Sequence, residues 1–142
     1  MGAQLLIIKK FGEPGAAYQE QHCELWEVQK DFPWFPAKKL LINKEFKNKL
    51  FAAFTNLQKA GIQGEIKTFD GCYNDRSVRG RASQSLHAWA MAIDINAATE
   101  KLAQNSTHFT GQFLAIMKAA GLFWGGDWKS RKDSMHFALF NG

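Results

Sequence analysis

Met91-Ala92-Ile93-Asp94-Ile95-Asn96 alternates along its length, with Met91, Ile93 and Ile95 on one side and Ala92, Asp94 and Asn96 on the other. A period of two predicts a strand with one face turned to a core. It also sets a carboxylate inside an apolar run, where an ionised group requires a cation, hydrogen bonds or a metal. Asp94 follows His87 by seven positions. On one helix the two would share a face yet sit about 10 Å apart along the axis, too far to meet at one ion with bonds of about 2 Å. The spacing therefore predicts a loop or turn carrying His87 and a strand carrying Asp94.

Working outward, Met135 to Phe140 reads as the last strand, with Met135, Phe137 and Leu139 on one face and His136 on the other. Asn43 has the chemistry of a helix N-cap and Gly61 that of a stop, so a helix is predicted from about Lys44 to Ala60. Phe46, Leu50, Phe54 and Leu57 form its apolar stripe. A second helix is predicted from Ser106 or Thr107 to Ala120, burying Phe109, Phe113 and Met117 and ending at Gly121. Ile62 to Phe69 and Leu122 to Trp124 read as short strands, and Gly125 to Trp128 as a turn. Between them Asp70 to Gln84 is a long polar loop of the kind that carries function. The expected fold class is α+β, a small antiparallel sheet with packed helices and a metal site between a loop or strand and the C-terminal strand.

At 142 residues and 16.0 kDa the chain is long enough for one domain with a real core. The expected division is a catalytic core over 43–142 and an irregular, aromatic-rich arm over 1–42. Pro14, Pro33 and Pro36 punctuate the arm, and Trp26, Phe32, Trp34 and Phe35 give it the means to pack on the core. The net charge of +5 favours a polyanionic partner such as a bacterial envelope, while the scattered basic residues do not favour nucleic acid. No apolar run reaches the roughly 20 residues of a membrane span, so stable membrane insertion is not expected. Leu5 to Ile8 precede Lys9 and Lys10, the reverse of a secretory signal, and this predicts a cytoplasmic product. Cys23 and Cys72 are expected to be reduced and structural, and the chain to be a monomer.

His87, Asp94 and His136 supply three ligands of the types that hold Zn2+, leaving a fourth position for water, and Asp133 stands three residues before the last of them as a nearby base. Taken singly, Asp94 also fits a salt-bridged core aspartate and His136 a satisfied core histidine. Neither His-Glu-x-x-His nor Cys-x-x-Cys occurs, Cys72 has no second cysteine at ligand spacing, and His22 and His108 read as surface residues. Arg76 could stabilise a developing oxyanion or grip a carboxylate, or could pair with Asp70 or Asp75 in its loop. Trp89, Trp124 and Trp128 could wall a groove or fill a core. Asp127 could orient a ligand histidine or merely make a turn.

The chain resembles the LAS zinc peptidases from about Phe69 to Phe137. The likeness rests on Gly71-Cys72-Tyr73-Asn74-x-Arg76, Ser85-Leu86-His87, Ala92-Ile93-Asp94-Ile95-Asn96, Trp124-Gly125-Gly126-Asp127-Trp128 and Asp133-x-Met135-His136-Phe137, in that order. This family includes D-alanyl-D-alanine carboxypeptidases and phage endolysins that cleave L-alanyl-D-glutamate bonds in peptidoglycan. The resemblance implies that His87, Asp94 and His136 bind zinc, that Asp133 is the general base, and that Arg76 faces the substrate. It also implies a substrate-side or supporting hydroxyl at Ser85. Where the family usually has Gly, this chain has Ala90, which would be strained if the backbone there needs a positive φ. The expected activity is an L-alanyl-D-glutamate endopeptidase of the phage-endolysin type, reaching the wall on lysis. A D-alanyl-D-alanine carboxypeptidase and a non-catalytic, zinc-stabilised wall-binding module are the alternatives.

Overall fold

Asn43 ends a strand and begins a helix. Its Oδ1 accepts the Phe46 N–H at 2.9 Å, and Gly61, at φ +73°, closes the seventeen-residue helix. In the computed structural model, which describes residues 3–73, 86–129 and 131–141, this helix is the fourth of five. In chain order the elements are α1 (Ala3–Phe11), α2 (Ala16–His22), β1 (Cys23–Trp26), α3 (Val28–Asp31), β2 (Leu40–Asn43), α4 (Lys44–Ala60), β3 (Phe69–Gly71), β4 (Ala92–Ile95), α5 (Gly111–Ala119), β5 (Phe123–Trp124) and β6 (His136–Ala138). Single 3-10 turns occupy Gln63–Glu65, Leu86–Trp89 and Gly125–Asp127. The class is α+β, with β1 and β2 forming one antiparallel pair and a second antiparallel sheet running β3-β4-β6-β5.

The first forty residues are thus not irregular. Short helices and a strand pair replace the expected arm, and α2 and α3, at seven and four residues, are too short to leave a strong periodic signal. Their aromatics do pack inward as composition suggested. Phe32, Trp34 and Phe35 surround Phe54 of α4 at centroid distances of 5.5, 5.4 and 5.2 Å. The same core continues to Phe109, which stacks on Phe113 of α5 at 4.6 Å and meets Phe137 of β6 edge-on at 5.6 Å.

Several boundaries differ from the sequence reading for identifiable reasons. Ile62 to Phe69 is not a strand: Asn96 Oδ1 accepts the N–H groups of Lys67 and Thr68, and Asn96 Nδ2 donates to the Glu65 carbonyl. Side-chain hydrogen bonds have taken the place of a ladder. Only Phe69–Gly71 pairs with β4, through a bulge. Helix α5 begins at Gly111 rather than near Ser106, because Thr107 is tied to the buried Glu100 carboxylate while Thr110 caps the Phe113 N–H. The last strand shrinks to His136–Ala138, since Asp133 to His136 forms a turn in which the His136 N–H reaches the Asp133 carbonyl at 3.1 Å. The loop expected from Asp70 to Gln84 lies mostly outside the described residues.

Asn96 sits at φ +56° and clips the segment before β3 to the end of β4. Asn96→Ala should lower unfolding stability by about 2–4 kcal/mol, from orphaned backbone groups and a left-handed alanine. Urea denaturation checks this; a loss under about 0.5 kcal/mol, the range of an ordinary surface change, would contradict it.

Candidate metal centre

Register brings the site together. Strands β4 and β6 pair Ile93 with Phe137 and Asp94 with His136, and successive residues alternate faces. The apolar pair faces α5, so the carboxylate and the imidazole emerge side by side on the other face. His87 arrives from the 3-10 turn Leu86–Trp89, which closes on Ala90 through the Ala90 N–H to His87 carbonyl bond at 3.0 Å. Ala90 has φ +54°. The positive φ that made alanine a questionable substitute at this position is therefore real.

His87 Nε2 lies 3.3 Å from Asp94 Oδ2, and His136 Nδ1 lies 3.4 Å from Asp94 Oδ1. The three ligand atoms fall within 4.8 Å of one another. Ligands at about 2.0–2.1 Å in a tetrahedron stand about 3.3–3.4 Å apart, so three ligand atoms within 4.8 Å of one another are close to the dimensions of a zinc site. Two further observations fit a cation. Asp94 Oδ1 and Asp133 Oδ1 are buried without a hydrogen-bond partner among the described residues. His87 Nδ1 lies 2.7 Å from the Cys72 carbonyl, which can only accept, so Nδ1 carries a hydrogen and Nε2 is the ring nitrogen that faces Asp94 and could ligate a metal. His87, Asp94 and His136 could therefore hold a metal ion.

Without an ion the same groups act as a charge cluster. Burial raises the Asp94 pKa, but His136 and His87 outweigh it and hold the carboxyl well below the usual range. Burial likewise works against a charged His87, yet the Asp94 carboxylate and the Cys72 carbonyl prevail and raise its pKa. Asp133 is pushed upward, first by burial and then by the Asp94 charge, with His136, His87 and Arg131 opposing. It is thus part of the same electrostatic cluster. Gly125 fixes its backbone: the Asp133 N–H donates to the Gly125 carbonyl at 3.0 Å, and a Cβ on Gly125 would lie 2.3 Å from the Asp133 carbonyl oxygen. The need for glycine there was not read from the sequence, where Gly125-Gly126 suggested only a turn.

The remaining sequence candidates divide. Trp128 lies over His136 at a centroid distance of 5.2 Å and donates from Nε1 to Asn141. Asp127 does not orient a histidine; its carboxylate pairs with Lys118 of α5 at 2.8 Å, and it is a surface aspartate in a turn. Trp89 is core, fully buried, and Trp124 packs on Phe137. Cys72 contributes its carbonyl rather than its thiol, and both cysteines are buried and unbridged. His108 is exposed and bonds to Glu100, while His22 stacks on Tyr18. Arg76 and Ser85 lie outside the described residues.

Residues 79–139 match the model of a peptidase family described as D-alanyl-D-alanine carboxypeptidase. The match, over fewer than half of the residues, supports a hydrolase. The family is of the LAS type, whose members are in general zinc enzymes, and the matched segment spans His87, Asp94, Asp133 and His136. Arg76 and the whole of α1 to β3 fall before it. Among the described residues, no helix is long and apolar enough to cross a membrane.

The pKa directions fix how the metal-free protein responds to pH. Asp94, depressed on folding, stabilises above its unfolded pKa of about 3.9 and loses that contribution as pH falls through its folded value. His87, raised on folding, stabilises below about pH 6.5 and loses that contribution as pH rises through its folded value. Thermal melting should therefore give a higher Tm at about pH 5.5 than at about pH 8.5, and Asp94→Asn should shrink the difference. A wild-type Tm that does not fall over that interval would contradict the assignment.

Proposed function

We propose that this chain hydrolyses the stem peptides of bacterial peptidoglycan in a zinc-dependent reaction, and that the bond cut is the one between L-alanine and D-glutamate. The reading is carried by three metal-type ligands converging beside a carboxylate with a raised pKa. A site that only stabilised the fold would have no use for that fourth acidic group.

When bound by His87, Asp94 and His136, zinc supplies Lewis acidity, acidifying water and polarising the scissile carbonyl. Asp133 takes the proton that the attacking water gives up and passes it to the leaving amine. Its raised pKa brings it closer to the operating pH than an ordinary aspartate and so suits both transfers. The Cys72 carbonyl holds the His87 ring in the required tautomer. Trp128 covers one side of His136 and forms an aromatic wall beside the site. Arg76 and Ser85 are assigned by resemblance to the substrate side, Arg76 stabilising the charge that grows on the tetrahedral carbon's oxygen.

A carboxypeptidase grips a free terminal carboxylate with a cation, whereas an endopeptidase leaves the groove open. Lys132, next to Asp133, is engaged by the Gly126 and Trp128 carbonyls at 3.1 and 2.9 Å, which supports the open groove. The printed description of the matched family favours removal of terminal D-alanine instead, and in that reading the exposed Arg131 is a described cation available for the grip. For either bond, the substrate places the enzyme's action at the cell wall, reached on lysis in the endolysin reading.

Mass spectrometry of products from purified peptidoglycan separates the two. New amino termini on D-glutamate are expected, and release of D-alanine alone would select the carboxypeptidase. Asp133→Ala should retain zinc and fold while lowering turnover by about 10²–10⁴-fold, the usual contribution of a general base. Unchanged turnover in that variant would remove Asp133 from the mechanism.

A further inference from the structure

Ala90 is fully buried and left-handed, a backbone conformation that L residues disfavour and that persists only where surroundings over-determine it. The hydrogen bonds that do so come mainly from the N-terminal forty-three residues, with Cys72 Sγ also 3.9 Å from the Ala90 carbonyl, and all of these lie before the matched segment. The Tyr18 hydroxyl donates to the Trp89 carbonyl at 2.6 Å and accepts from Asn43 Nδ2 at 2.9 Å. The Asn43 N–H donates to the Ala90 carbonyl at 3.0 Å, while Asn43 Oδ1 caps α4. Trp89 Nε1 in turn donates to the Gly12 carbonyl at 3.0 Å. The two peptides that flank the strained residue are therefore held from outside, and the Ala90 N–H closes directly on the His87 carbonyl.

We propose that Tyr18 is a positioning residue for His87: its hydroxyl, braced by Asn43, holds the left-handed turn at Ala90 and so aims the His87 ring at Asp94. This rests on reading His87, Asp94 and His136 as a metal centre. Tyr18 is 3% exposed, and burial raises its pKa, so it remains a hydrogen-bond donor throughout the working range. The hydroxyl touches no ligand and does no chemistry. It acts by making an alanine tolerable where glycine would need no such support.

The test is a double-mutant cycle of Tyr18→Phe and Ala90→Gly in the full chain, read by zinc affinity against a competing chelator, by the visible spectrum of the cobalt-substituted protein, and by thermal melting without metal. Tyr18→Phe alone should weaken zinc about 10-fold, at the lower end of what supporting residues contribute, and should alter the cobalt spectrum. With Ala90→Gly in place, the same substitution should change affinity by no more than about 2-fold, because no strain remains to be released. Equal losses in both backgrounds, or none in either, would overturn the proposal. A Tyr18→Phe chain that folds only when Ala90→Gly accompanies it would support the proposal; one that folds in neither background would make Tyr18 a plain core residue and overturn it. If the unaltered chain bound no zinc, the metal reading would fall separately. The melting cycle would then decide the clamp, with non-additivity upholding it and additivity overturning it.

Discussion

A carboxylate placed in the middle of a buried strand must be compensated, and the requirement at Asp94 organises much of what surrounds it. The antiparallel register of β4 and β6 brings His136 beside it, while the 3-10 turn before Ala90 brings His87 to its other oxygen. The two imidazoles face the two carboxylate oxygens at 3.3 and 3.4 Å, and the three groups together could hold a metal ion. The same groups would bind the ion as neutral rings, so metal binding would draw on a site whose ligands already converge. Asp133 is drawn into this field by Gly125, whose missing side chain lets the Asp133 backbone approach closely.

The scaffold divides its labour accordingly. The sheet supplies Asp94 and His136 with little freedom, because a one-residue slip of either strand would turn its own ligand to the opposite face and away from the other. His87 has no such ladder. Its turn is secured by the Cys72 carbonyl on one side and by the Tyr18–Asn43 pair on the other, elements far apart in sequence. The N-terminal residues thus bear on the site through backbone support, in addition to covering Phe54 with aromatics.

Much of this was legible before any coordinates. Helix α4 announced both its ends through Asn43 and Gly61, and the alternation around Asp94 and His136 placed both on strands, because these signals are local and periodic. Less legible were features that depend on distant side chains. The stretch after Gly61 looks strand-like by alternation, yet Asn96 and Glu65 divert its backbone groups. The start expected at Ser106 or Thr107 gives way to Thr110, because the buried Glu100 engages Thr107. Asp127 was open to two readings because nothing in its own neighbourhood discloses Lys118. Helices α2 and α3 have too few turns for a periodic pattern, so the aromatic composition of the first forty residues was informative where their conformation was not.

The central claim is that His87, Asp94 and His136 converge on one zinc ion. X-ray absorption at the zinc edge of the loaded protein tests it most directly. The account predicts a first shell of nitrogen and oxygen scatterers only, at about 2.0–2.2 Å, with imidazole outer-shell features from two histidines. A sulfur scatterer at about 2.3 Å, or the same spectrum from a protein carrying Asp94→Ala and His136→Ala, would contradict it.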